Sequence, residues 1–234
     1  MKYTDPSGKI WEDINGNVIS DHSNIKVYIF YDPNSFSKQS FAMYKSAVKK
    51  YGEGSVALSK VTTEKEFASD WGAMGGNDIR EVNLNYHGSN QALHLDYKKK
   101  QYVTATGNGY INSQTQSDKI EALNVQDLPI PVGDISHAQL NINSCKSNST
   151  SQKPLLGNGK TLMRTFADTF YFQTVRGTSV GVSYDRFLLT PHPKYLSSEG
   201  WFKNWEYIGI PTGSHILRKT KMVDFLYYKT GGMK

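Results

Sequence analysis

The chain holds a single cysteine, Cys145, which ends the run Gln139-Leu140-Asn141-Ile142-Asn143-Ser144-Cys145. Fifty-eight positions earlier, His87 ends a run of the same make, Val82-Asn83-Leu84-Asn85-Tyr86-His87, and Gly88 follows it. A thiol is the strongest side-chain nucleophile at neutral pH, but only as thiolate, and a free cysteine titrates near about 8.5. An imidazole beside it lowers that value, or carries the proton to a leaving amine. An attacked carbonyl also needs donors for its developing oxyanion, and backbone N–H groups beside the nucleophile and in a glycine turn can supply them. Gly88, lacking a Cβ, permits the close backbone approach this requires. A lone cysteine at a strand end is more often an inert buried thiol, and a lone histidine before glycine is usually a turn residue. The joint occurrence at two matched strand ends is what carries the catalytic reading.

Both runs alternate apolar residues with asparagine, a period-2 pattern that predicts half-buried strands. For His87 and Cys145 to act together, the strands must be parallel neighbours ending at one sheet edge, where ligands collect in such sheets. The rest of the chain supports that arrangement. Ile25 to Asp32 is a β-branched and aromatic strand stopped at Pro33-Asn34. Phe41, Tyr44, Ala47, Val48 and Tyr51 recur at helical spacing until Gly52 and Gly54. Ser55 to Val61 predicts a second strand, and Thr63 with Glu66 a capping box opening a helix with Phe67, Trp71 and Met74 on one face. Gly75-Gly76-Asn77-Asp78 breaks that helix before the strand to His87. Strand, helix, strand, helix, strand is the signature of a parallel sheet wrapped by helices.

Residues 89–136 interrupt the rhythm. Leu93 to Tyr97 and Tyr102 to Thr104 predict a hairpin around Lys98-Lys99-Lys100, on an insertion at the sheet edge, and Asn124 to Asp134 is a loop with Pro129 and Pro131. After Cys145, Leu162, Met163, Phe166, Ala167 and Phe170 predict an amphipathic helix, and Thr174 to Tyr184 a further strand carrying Gly177 and Gly181. From Phe187 the chain is aromatic and broken by proline, a C-terminal extension over 187–234 with no assignable topology.

A chain of 234 residues buries a substantial core. One cysteine excludes an internal disulfide and any cysteine-rich zinc site. Of the other histidines, His22, His94, His137, His192 and His215 show no ligand spacing, so neither metal nor cofactor is expected. The net charge of +6 comes from lysines and arginines scattered along the chain, which reads as solvated surface rather than a nucleic-acid footprint. No run reaches the ~18 apolar residues of a membrane helix.

The two motifs together resemble the caspase-like (clan CD) cysteine peptidases: an apolar strand into His-Gly, then an apolar strand into Cys, here Leu84-Asn85-Tyr86-His87-Gly88 and Ile142-Asn143-Ser144-Cys145-Lys146-Ser147. Histidine first and cysteine about 50–60 residues later is also the caspase order rather than the papain order. The resemblance runs from about Ile25 to Tyr184. It implies an α/β three-layer fold with a central, mostly parallel sheet flanked by helices. It also implies His87 as general acid/base, Cys145 as nucleophile, and the N–H groups of Gly88 and Cys145 as oxyanion hole. Relatives carry an acidic residue just before or two positions before the cysteine. Asn143 and Ser144 stand there, so the side chain preferred at the cut stays open. Asn143 and Asp185 are the specificity candidates. In the turn Ser183-Tyr184-Asp185-Arg186, Asp185 would favour a basic side chain and Arg186 an acidic one, unless the two form a surface ion pair.

Lys2-Tyr3-Thr4-Asp5-Pro6-Ser7-Gly8-Lys9 resembles the segment that closes the core of Rhs/YD-repeat proteins before their variable C-terminal toxin domains. It implies a flexible leader over 1–24 and a peptidase toxin over 25–234. The toxin would be secreted within a larger effector and act on a protein substrate in the target-cell cytoplasm, with the Rhs shell and a cognate immunity protein as partners. The alternative is a nucleic-acid-directed (nuclease) or non-enzymatic toxin in which Cys145 is structural, with Lys98–Lys100, Arg218–Lys221, Trp201 and Trp205 as its grip. A phosphate loop at Gly157-Asn158-Gly159-Lys160-Thr161 is set aside because Pro154 stands where the pattern needs glycine.

Overall fold

The computed structural model describes residues 11–96, 98–105, 122–145, 147, 161–178, 182–183, 194–195, 214–220 and 224–230. In chain order the elements are β1 (Val27–Tyr31), α1 (Ser37–Tyr51), β2 (Val56–Lys60), α2 (Glu64–Gly72), β3 (Glu81–Asn85) and β4 (His87–Gly88). Then come β5 (Ala92–Asp96), β6 (Gln101–Thr104), β7 (Leu123–Asn124), a 3-10 turn at Val125–Asp127, β8 (Gln139–Ile142), α3 (Leu162–Thr169) and β9 (Thr174–Thr178). The remaining described strands are β10 (Val182–Ser183), β11 (Lys194–Tyr195), β12 (Ser214–Thr220) and β13 (Asp224–Thr230).

Seven strands form the main sheet in the order β13-β12-β9-β8-β3-β1-β2. β2, β1, β3, β8 and β9 are mutually parallel, and β12 and β13 close the far side antiparallel. The fold is therefore α/β with a mostly parallel central sheet, as the strand–helix alternation predicts. Side chains of successive strand residues point to opposite faces, and here both faces are covered. Tyr28, Phe30, Ala57, Val82, Leu84, Leu140, Ile142 and Val175 pack with Phe67 and Trp71 of α2 and Phe166 of α3. On the other face Val27, Ile29, Tyr31, Val56 and Leu58 pack with Tyr44 and Ala47 of α1.

Local signals explain the helix limits. Thr63 Oγ1 accepts from the Glu66 N–H while the Glu66 carboxylate accepts from the Thr63 N–H, the reciprocal box that satisfies otherwise orphaned donors. Gly52 ends α1 at φ 96°, a left-handed conformation that a side chain would strain. Met74, predicted on the α2 face, is fully buried but lies just beyond the helix.

Four expectations change. Residues 11–24 are no loose leader: Trp11 is buried edge-on against Tyr28 and Phe30, and Glu12 exchanges both backbone hydrogen bonds with Leu58. That pairing covers the edge of β2, which would otherwise expose unpaired N–H and C=O groups. The first ten residues, with the Rhs-like motif, lie outside the described residues.

The insertion is not on an edge of the main sheet. It leaves from β3, which has β1 on one side and β8 on the other, and forms its own sheet β4-β5-β6-β7. Leu93, Leu95, Val103, Val125 and Leu128 of this insertion join the α2/α3 core. The expected hairpin is β5–β6, antiparallel. The single strand expected over Thr174 to Tyr184 is two: β9 stays in the main sheet, whereas Val182–Ser183 pairs with Lys194–Tyr195.

Lastly, the asparagines expected on a solvated strand face are buried, and Asn85 among them meets Ser40 of α1. Asn83 is 5%, Asn85 0%, Asn141 8% and Asn143 4% exposed.

Candidate active site

β3 and β8 pair parallel with Glu81 opposite Gln139 and Leu84 opposite Ile142. The pairing carries on past the strand ends, since the Asn143 N–H donates to the Leu84 carbonyl at 2.9 Å. Every facing pair is 58 residues apart, the spacing of His87 and Cys145. The two residues therefore leave neighbouring strands at the same height, on the carboxyl edge where parallel sheets collect their chemistry.

Next to these residues, Gly88 comes against the side chain of Ser144. A Cβ built on Gly88 would lie 2.9 Å from Ser144 Cβ and Oγ and 2.7 Å from the Ala92 carbonyl oxygen. Glycine at 88 is thus a steric necessity: any side chain would separate the His87 turn from the Ser144-Cys145 turn. Ser144 is 1% exposed, and its Oγ has no hydrogen-bond partner among the described residues. A buried hydroxyl without a partner is costly, and this one is wedged between the two candidate halves.

The hairpin after His87 aims its backbone. The Ser89 N–H donates to the directly opposite Ala92 carbonyl at 2.9 Å, while His87 faces His94 and Gly88 faces Leu93. Bonded and non-bonded pairs alternate in an antiparallel ladder. The bonded pairs are then 89–92 and 87–94, which turns the Gly88 N–H away from β5. That is the condition for it to serve as an oxyanion donor.

His87 is exposed at its tip, and the Phe36 ring stacks edge-on to it at 5.0 Å. Phe36 caps α1, so the helix start and the histidine brace each other. His94, the cross-strand partner, lies edge-on to Tyr102 at 5.3 Å. Burial, with a smaller contribution from the charge of His87, lowers the His94 pKa to about 4. His94 is therefore a neutral imidazole near neutral pH and adds no positive charge beside His87. Cys145 is half-buried and unbridged.

Beneath the pair runs a feature that the sequence reading missed. Asn143 Nδ2 donates to Asn85 Oδ1 at 2.8 Å, and Asn141 Nδ2 donates to Asn83 Oδ1 at 3.0 Å. Asn85 Nδ2 in turn donates to Ser40 Oγ of α1 at 2.9 Å. Asn143, a candidate for reading the substrate, has its amide turned sideways into this ladder. The signal was present in the sequence: two asparagines at the same distances before His87 and before Cys145. It reads as surface until the helix that covers it is placed.

Asp185 and Arg186, the phosphate-loop-like Gly157–Lys160, and Trp201 and Trp205 lie outside the described residues. Among the described residues no group of three or more His, Cys, Asp or Glu side chains could hold a metal ion. No described helix is long and apolar enough to cross a membrane. No family model, no curated protein and no solved structure matches the chain.

Proposed function

We propose that the chain is a cysteine endopeptidase of caspase-like, three-layer organisation. In this reading it is the toxin part of an Rhs-type effector, secreted within a larger protein and acting in the target-cell cytoplasm, where a cognate immunity protein would protect the producer. One observation supports the peptidase reading above the others. Gly88 comes against Ser144 just past the ends of two adjacent parallel strands, the strands that run on to His87 and Cys145. The partnerless Ser144 hydroxyl and the outward-turned Gly88 N–H add to it.

The chemistry follows from the roles. The Cys145 thiolate attacks the scissile carbonyl carbon, forming the C–S bond and moving the C=O π pair onto oxygen. The N–H groups of Gly88 and Cys145 hold that oxyanion. Its collapse breaks the C–N bond, and His87 hands its proton to the leaving amine, leaving a thioester on Cys145. His87 then takes a proton from water, and the hydroxide displaces the thiolate to release the new carboxyl end. His94, neutral beside His87, leaves His87 as the proton carrier of the pair.

The test compares wild type with Cys145→Ala in a susceptible cell lysate and maps new peptide N-termini by mass spectrometry. Termini are expected with wild type alone, and the residue preceding them gives the preference at the cut. Identical patterns, with toxicity kept by the variant, would overturn the proposal in favour of a nuclease or binding role.

A further inference from the structure

The geometry points to a positioning role for the Asn85–Asn143 amide pair: backed by Ser40, it holds β8 in the one register on β3 that sets Cys145 beside His87. This deepens the peptidase reading and rests on it.

Strand pairing could slip by an odd or an even number of residues, and the two kinds of slip are excluded by different forces. A one-residue slip exchanges the faces of the strand. It would carry Leu140 and Ile142 out of the α2/α3 core and put asparagines among Phe67, Trp71 and Phe166. Apolar alternation forbids that. A two-residue slip keeps every side chain on its proper face, so alternation offers no resistance. It would, however, move Cys145 by about 6.6 Å along the sheet at the rise of a parallel strand, beyond reach of His87.

The amides resist the even slip. In the native register both rungs are made, Asn143 to Asn85 and Asn141 to Asn83. Shifted by two in one direction, Asn141 meets Asn85 and Asn143 meets His87. Shifted in the other, Asn143 meets Asn83 and Asn141 meets Glu81. Either way at most one asparagine rung survives, and a buried amide loses its partner, which is costly.

The upper rung is also tied to the helix. Asn85 Nδ2 reaches Ser40 Oγ and, at 3.2 Å, Met43 Sδ. The end of α1 that carries Ser40 also carries Phe36 against His87. One end of one helix thus contacts both the rung and the histidine.

The single cysteine makes the test direct, because iodoacetamide uptake in the intact protein reports on Cys145 alone. Alkylation rates would be measured at about pH 7 for wild type, His87→Ala, Asn143→Leu, and the double variant Asn85→Leu/Asn143→Leu, with thermal unfolding alongside. Wild type is expected to react faster than His87→Ala. Asn143→Leu should slow alkylation toward the His87→Ala rate, as His87 and Cys145 part.

The double variant separates positioning from stability. Removing both amides leaves no orphaned amide and, at the loss of the Ser40 bond, restores part of the unfolding temperature, yet the slowed alkylation should persist. A double variant that alkylates at the wild-type rate would overturn the proposal, leaving the pair a stability element only. Should the leucine variants fail to fold, Ser40→Ala, which trims one atom from α1, replaces them. It is expected to slow alkylation in the same direction, and an unchanged rate would equally overturn the proposal. If His87→Ala alkylates as fast as wild type, the peptidase reading falls and the positioning role falls with it.

Discussion

On the face of the sheet beneath α1, strands β1 and β2 present Val27, Ile29, Tyr31, Val56 and Leu58, whereas β3 and β8 present Asn83, Asn85, Asn141 and Asn143. Both halves are buried, and they solve the same problem differently. The apolar half gains by leaving water, an attraction without direction that tolerates small displacements. The amide half gains little net energy from burial, because each hydrogen bond replaces one to water. What it supplies is geometry, since an amide missing its partner by one rung is left unsatisfied. The two halves lie at the same heights, Ile29 beside Asn83 and Tyr31 beside Asn85, and the amide half belongs to the strands that run on to His87 and Cys145. In the proposed positioning role, stability and placement are divided between neighbouring strands.

The comparison can be broken first at its apolar half. Ile29→Ala removes a fully buried side chain from β1, and a truncation of that kind costs about 2–5 kcal/mol. Urea unfolding should show that loss, while the folded variant keeps the wild-type rate of Cys145 alkylation at about pH 7. A changed rate would mean that placement is not confined to the amide half.

A smaller effect comes from pH. Amides do not titrate between about pH 4 and about pH 7, but the His94 imidazole does so once the chain unfolds. Its folded pKa is depressed to about 4, chiefly by burial. The unfolded chain therefore takes up a proton near pH 6.5 that the folded chain refuses, and stability falls as pH drops from about 6.5 toward 4, by up to about 3 kcal/mol. Above pH 6.5 both states hold a neutral imidazole, and the effect vanishes. Unfolding of wild type and His94→Gln at pH 7.5 and 5 should show that the variant loses most of this acid sensitivity. Equal acid sensitivity in both would place its source elsewhere.

The smallest effect separates the two rungs. Asn83→Leu leaves the Asn141 amide without its acceptor and should cost about 1–3 kcal/mol. The upper rung is untouched, so the alkylation rate of Cys145 at about pH 7 should remain at the wild-type value. A rate that falls as far as in Asn143→Leu would show that the ladder acts as a unit.

By itself the sequence determined the main elements as far as α3 and their order. β-Branched and aromatic content marked β1, alternation marked β3 and β8, helical spacing marked α1, α2 and α3, and Thr63 with Glu66 marked a helix start, because these signals are local and act within a turn or two of chain. It also matched His87-Gly88 with Ser144-Cys145, since chain order and strand type are written in composition. Tertiary structure decided the rest. The insertion was expected on an edge because nothing local says that its strands pair with one another in a sheet of their own. Trp11 was expected in a loose leader because its burial depends on Tyr28 and Phe30, which lie far along the chain. The asparagines looked like a wet strand face because an asparagine facing water and one facing another asparagine under a helix are the same letter. Only the tertiary packing, with α1 against Asn85 and β8 beside β3, removes the water and turns those amides toward each other.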